Sequence, residues 1–426
     1  MKNRVISMFI LAMGMSYAFH SNAGDDDPQP PQDQWYYLSS SATDEIYRFE
    51  EDTGEFLGIL DQSVPGPFAS FIGTGGDLFV AAQSTGAVLR FDGTTGEYLG
   101  EFIEAGSGGL TKPAAPLMTP DGKYIIVGDL ILNGYLRFDG QTGEFIDIFA
   151  DPSNSPINGP FMPIFSPYPE FAGKILFASG FTNSIQVYDI ESGNYERDLV
   201  SPGSGGLSVP IGLSFGPDGN IYTSSAGTSS VKRYDGQTGE YIDDFVPTGS
   251  AGLKNPRAIE FGGTNSNLYV VSNDTNNVLV YDRITGEFLS ESASGSEFGF
   301  LEPRGLMFTA RPNFFITASA KKIKANGKRK KFAKVEIDVI SENDMVDNNP
   351  EIELISITVD DPDRDVRRDV RGARFGTDDR KFRIRNRNYS NVDRVYTVTY
   401  RATNNRGGSM IATDTITIEP TYTHNY

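Results

Sequence analysis

Apolar positions along most of the chain come in short runs with no helical spacing over a useful length. Around residues 210–246 four runs follow one another, PIGLSFGP, NIYTSSA, SVKRYD and EYIDDFV. Each is rich in β-branched and aromatic residues, and glycine, aspartate or proline separates it from the next, so each predicts a β-strand.

This unit recurs. RFEEDTGEF ends at Phe56, RFDGTTGEY at Tyr98, RFDGQTGEF at Phe145, VYDIESGNY at Tyr195, RYDGQTGEY at Tyr241 and VYDRITGEF at Phe288. The shared glycines, Gly54, Gly96, Gly143, Gly193, Gly239 and Gly286, stand 42, 47, 50, 46 and 47 residues apart. Four strands per repeat at that period predict propeller blades. The glycine-broken segment falls between the third and fourth strands. There Asp235 and Thr238 are placed to bond backbone amides, and the glycine takes the positive φ of a tight turn. A calcium loop would keep its acids fixed, and these vary from copy to copy. Phe91, Phe138, Tyr188, Tyr234 and Tyr281 recur at one position, as packing between blades requires.

The ends of the array are complementary. The chain enters at 35–40, WYYLSS, which matches a second strand, and leaves at 303–308, PRGLMF, which matches a first strand. The late strand completes the early blade, so the predicted fold is an all-β, six-bladed propeller over 35–311 with no open edge.

The segments PRGLMF, PRAIEF and PIGLSFGPDGNIYTSS, the last followed by VKRYD, resemble bacterial NHL-type six-bladed propellers and their gluconolactonase-like and streptogramin-lyase-like relatives. The resemblance implies a fold more sharply than a function. NHL propellers usually bind protein or nucleic acid, whereas the lactonase-like ones are metal-dependent enzymes.

Composition shifts after Arg311. Residues 24–311 hold 14 Lys and Arg against 39 Asp and Glu, while residues 312–426 hold 21 against 17. The step marks a domain boundary. Residues 312–420 alternate as strands (FFITASA, FAKVEIDVI, EIELISITV, KFRIRNRN, RVYTVTYRATN, MIATDTITI), which predicts a small antiparallel sandwich, with 421–426 as a tail. SITVDDPDRD, RGARFGTDDRKFRIR and RVYTVTYRATNNRGG resemble the bacterial immunoglobulin-like (HYR-like) modules that end exported surface proteins. Lys321, Lys322 and Lys324 with Lys328, Arg329, Lys330 and Lys331 form a candidate anion patch, the bland alternative being a solvated hairpin whose lysines protect an edge. Asp361, Asp363 and Asp365 alternate as calcium ligands can, without the glycine of an EF-hand loop.

Lys2 and Arg4 precede an apolar run over 5–19, and Ser21-Asn22-Ala23 offers a cleavage site, so residues 1–23 read as a secretory signal and 24–34 as an acidic, proline-rich linker. No later stretch approaches a membrane span. The chain has no cysteine, and its two histidines are His20 and His424, which leaves the body without imidazole or thiol. The net charge of −19 argues against nucleic acid as a partner. No cofactor is expected, calcium being the one metal the sequence raises.

In a propeller, ligands meet the axis where first strands begin and second strands end. In register, first strands begin with Phe68, Ala114, Phe161, Ile211, Arg257 and Arg304, and second strands end at Ser41, Gln83, Asp129, Gly180, Ala226 and Asn273. Gln83, Asp129, Asn273, Arg257 and Arg304 are the candidate ligand-binding residues, and no catalytic or metal set emerges. Asp129 and Asn273 match carboxylate and amide ligands of the calcium-dependent lactonases. No glutamate begins a first strand, however, and two arginines there would repel a dication. The expectation is an exported, non-enzymatic recognition protein for protein or acidic glycan at the cell envelope, periplasmic or extracellular. The alternative is a metal-assisted lactonase-like or lyase-like hydrolase acting in the channel.

Overall fold

A computed structural model describes residues 35–309, 314–318, 321–325, 332–341, 350–360, 366–386, 388, 392–403 and 409–420. Six four-stranded antiparallel sheets account for the first of these segments. Blade 1 is built from Pro303–Phe308, Trp35–Ser40, Glu45–Glu50 and Phe56–Ile59, in that spatial order. The chain therefore closes the ring as its two ends imply, with Tyr36 opposite Phe308 and Leu38 opposite Leu306. Blades 2 to 6 begin with Pro67–Ile72, Pro113–Met118, Pro160–Ile164, Pro210–Phe215 and Pro256–Gly262. Each first strand packs against the first strands of both neighbouring blades, and the circle closes between blades 6 and 1.

The repeated octets are the turns before the fourth strands. Asp235 Oδ1 accepts the amides of Gln237 at 3.0 Å and Thr238 at 2.8 Å, and the Glu240 amide donates to Thr238 Oγ1 at 3.3 Å. Asp92, Asp139, Asp189 and Asp282 repeat the bond to the third residue on. Gly239 does more than turn the chain. Its φ is +72°, and a Cβ there would lie 1.9 Å from Leu199 O on the preceding blade. Gly143 and Gly286 meet Phe102 O and Phe245 O in the same way, each at 2.0 Å. The octet is thus a spacer as well as a turn, because only glycine lets it touch its neighbour.

Between blades, aromatic rings fill the space. Tyr222 stands edge-on to Phe245 at 4.9 Å and to Phe261 at 4.8 Å, which joins blade 5 to blade 6. The recurring third-strand aromatics are buried; Tyr234 and Tyr281 each donate a hydroxyl to a loop carbonyl, Ser204 O at 2.8 Å and Ser250 O at 3.0 Å.

The C-terminal described segments form two further four-stranded sheets around one core that includes Ile316, Leu354, Tyr396 and Ile416. Lys322–Lys324 does not form a hairpin with the next strand. It pairs in parallel with Thr417–Glu419, whereas Phe332–Ser341 belongs to the other sheet. The edge of Ser409–Glu419 offered lysine a non-local partner that no local pattern reveals. This strand also meets the propeller: the Ile411 amide donates to Ser266 Oγ at 2.9 Å and the Thr413 amide to Pro217 O at 3.3 Å. Both contacts fall on turns joining first to second strands, the face of the ring opposite the first-strand starts.

Candidate functional site: the channel mouth

Every first strand carries a β-bulge directly after its opening proline. In blade 6, Pro256 pairs with Ser272 and Ile259 with Val270, three steps against two. The other five blades repeat it, from Pro67 and Ser70 in blade 2 to Pro303 and Leu306 in blade 1. A bulge frees the inserted residue from the ladder and re-aims its side chain. The freed positions are the ring of rim residues read from the sequence: Arg257, Arg304, Phe68, Ala114, Phe161 and Ile211.

The residue before each proline is held from the blade before it. Asn133 Oδ1 accepts the Gly159 amide at 2.7 Å, Asn183 Oδ1 the Val209 amide at 2.8 Å and Asn276 Oδ1 the Glu302 amide at 2.7 Å. Asp44 does the same for Gly66 at 2.7 Å and Ser229 for Asn255 at 3.3 Å. Asn133, Asn183, Ser229, Asn276 and Asp44 all sit at positive φ, as do Val209, Asn255 and Glu302. Blade 2 has Gly86 at the latch position and so no side chain to offer. There Asp129 of blade 3 takes over: its carboxylate accepts the amides of Lys112 at 2.6 Å and Thr111 at 2.7 Å, together with Leu132 at 2.7 Å and Ile131 at 2.8 Å. These backbone bonds outweigh burial and hold the Asp129 carboxyl below the usual range. Asn273 is buried as well, donating to Pro303 O at 3.0 Å and accepting from Asn255 at 3.3 Å. Both side chains are fully engaged in holding the rim.

Arg257, Arg304 and Gln83 are not. Arg304 crosses from blade 1 to blade 2, with its guanidinium 5.5 Å from the Phe68 ring centre and Nη1 3.4 Å from Gln83 Oε1. Glu302 approaches Nη2 from the solvent side at 3.4 Å. Arg257, on the adjacent first strand, has no hydrogen bond or ion pair among the described residues. Burial, followed by the charge of Arg304, depresses its pKa, and the fields of Asp274 and Glu302 offset this only in part. Arg257 Nε, Arg304 Nε and Gln83 Nε2 are buried donors without acceptors. Two desolvated like charges and three unmet donors at one mouth favour an incoming anion.

Three residues further along the Arg257 strand, the side chain of Glu260 has no hydrogen bond among the described residues. Burial pushes its carboxyl up to about 8. Among the described residues no group of three acids or imidazoles is placed to hold a metal ion. No helix among them is long and apolar enough to cross a membrane.

Of the lysine patch, Lys321 pairs with Asp414 at 2.8 Å, and Lys322 and Lys324 are exposed. Lys328, Arg329, Lys330 and Lys331 lie outside the described residues, as do Asp361, Asp363 and Asp365. Sequence register located the rim arginines. The latch was missed because its residue type varies between aspartate, asparagine and serine, and its partner lies 22 to 26 residues away.

No protein-family model matches the chain. No curated protein matches it. Among solved structures, a chain of the nidogen/laminin complex is similar with a TM-score of 0.52 and 15% identity, covering 65% of this chain and 98% of that one. A protein of unknown function from Bacteroides caccae gives 0.48 and 12%, with the same coverage. The first likeness and the six closed sheets establish a β-propeller.

Proposed function

We propose that this chain is an exported, non-enzymatic recognition protein. In this reading an NHL-type propeller presents an anion-binding mouth, and an immunoglobulin-like module stands on the opposite face. Arg257 carries the proposal: a half-buried guanidinium with no acidic partner, set beside a second arginine, is costly to keep in a fold unless a ligand neutralises it. The basic, apolar-flanked start of the chain supports export and the placing of the partner, protein or acidic glycan, at the cell envelope. A protein partner gains support from the nidogen/laminin complex, in which a propeller chain of like fold is part of a protein assembly.

Titrating acetate and sulfate into the chain from residue 24 onward, followed by calorimetry, tests this. Saturable binding that Arg257→Gln abolishes is expected. Turnover of a lactone panel with calcium, lost in Asp129→Ala, would replace recognition by hydrolysis.

A further inference from the structure

We infer that the mouth takes one chemical class of anion: a carboxylate carried on an apolar, aromatic body, of the arylalkyl carboxylate kind. This rests on the mouth being an anion site and adds what the anion must be attached to. The ring of rim residues is divided. Blades 6 and 1 contribute the adjacent Arg257 and Arg304, and blades 2 to 5 contribute Phe68, Ala114, Phe161 and Ile211, which belong to one apolar cluster.

The apolar half is continuous with the charge. Arg304 lies over Phe68; Phe68 and Phe161 are near-parallel, 13° apart with centres 6.3 Å apart, which the small Ala114 between their blades permits. Phe181 then stands edge-on to Phe161 at 6.1 Å and is 61% exposed. Ile131, on the corresponding turn of blade 3, is 69% exposed. Phe68 and Phe161 are 5% and 6% exposed, so Phe181 and Ile131 are the side chains of this apolar half that stand in water, and such side chains mark a surface that a ligand covers.

Hydrogen-bonding polarity narrows the class further. At the rim itself the unmet groups, Arg257 Nε, Arg304 Nε and Gln83 Nε2, are all donors. The acceptors nearby are taken: Asp129 by backbone amides, Asn273 by Asn255, Asp274 by Asn255 at 2.8 Å, and Glu302 by Arg304. A polyol needs acceptors for its hydroxyls as well as donors, whereas a carboxylate needs donors alone. An aromatic acid satisfies both halves: its carboxylate meets the open Nε donors of Arg257 and Arg304, and its ring lies against the apolar half that begins at Phe68.

Calorimetry on the full mature chain with 3-phenylpropionate, 3-phenylpropionamide, acetate and glucuronate separates the terms. The expected order places 3-phenylpropionate at least tenfold tighter than the other three. Arg304→Gln lowers its affinity at least tenfold. Phe181→Ala, a change at an exposed position that leaves folding intact, weakens 3-phenylpropionate and leaves acetate unchanged. An N-acetylated peptide ending in phenylalanine shares the chemistry, and its affinity relative to the free acid distinguishes a polypeptide C-terminus from a small acid as the source. Acetate or glucuronate binding as tightly as 3-phenylpropionate leaves the anion site standing and overturns the apolar half. Absence of binding by every anion removes the site itself.

Discussion

Arg304 and Gln83 meet across the junction of blades 1 and 2, with Nη1 3.4 Å from Oε1, yet Arg304 Nε and Gln83 Nε2 remain buried without acceptors. A contact that leaves both partners under-satisfied is a poor structural bond. It makes sense as half of a site, in which the side chains are positioned for something that arrives later.

Arg257 gives the sharpest test of that view. If it served the fold, Arg257→Met would destabilise. Because the guanidinium is desolvated and repelled by Arg304, the substitution is expected to raise the melting temperature, by an amount on the order of 1 kcal/mol in stability, while abolishing acetate binding. Thermal unfolding by circular dichroism, beside calorimetry, reads both. A lowered melting temperature would make Arg257 a structural residue.

Glu260 yields a pH signature of unusual clarity. The carboxyl titrates near 8 in the folded chain against about 4.5 unfolded. Between those values the folded state holds the extra proton, so stability falls as pH rises through that window and is level above it, at most about 1.4 kcal/mol for each unit crossed. No histidine or cysteine in the body titrates there to obscure the effect. Glu260→Gln is expected to match the parent at pH 4.5 and to exceed it increasingly up to pH 8. A gap between the two melting curves that stays constant with pH would show Glu260 ionised in the fold throughout.

The sequence revealed what repeats and what is local. Asp235, Thr238 and Gly239 recur at fixed spacing because the turn they build is made within eight residues. The ring closure was legible because Trp35 and Pro303 begin leftover strands of matching type. The rim arginines followed from register alone. What aims them did not: the bulge after Pro256 depends on how two strands pair, and neither strand encodes it by itself. Asp129 reads as a ligand candidate in the sequence for a related reason. Only Gly86 on the neighbouring blade, where a latch side chain is missing, explains why blade 3 needs a carboxylate.

The latch is itself testable at Asn183. Its side chain holds Val209, a β-branched residue at φ +52°, a conformation that such residues resist. Asn183→Ala leaves the Val209 amide without its acceptor and the strained backbone without its restraint. A loss of about 1–3 kcal/mol is expected in urea unfolding. Val209→Gly in the Asn183→Ala background should recover part of that loss by removing the strain. If Val209→Gly recovers nothing, the latch acts by the hydrogen bond alone.

Two glycines separate turn geometry from close packing. Gly239 and Gly249 have nearly equal φ, +72° and +71°, so alanine suffers a similar left-handed penalty at either, about 1 kcal/mol. Their surroundings differ completely: a Cβ on Gly249 meets nothing within 4 Å, whereas one on Gly239 falls 1.9 Å from Leu199 O. That oxygen belongs to the backbone of the preceding blade and yields only if the blade moves. Gly239→Ala is therefore expected to destabilise by several kcal/mol and Gly249→Ala by about 1, read as the shift in urea midpoint at constant slope. Equal shifts would mean that the octet glycine is kept for its turn and that the spacing between blades adapts freely.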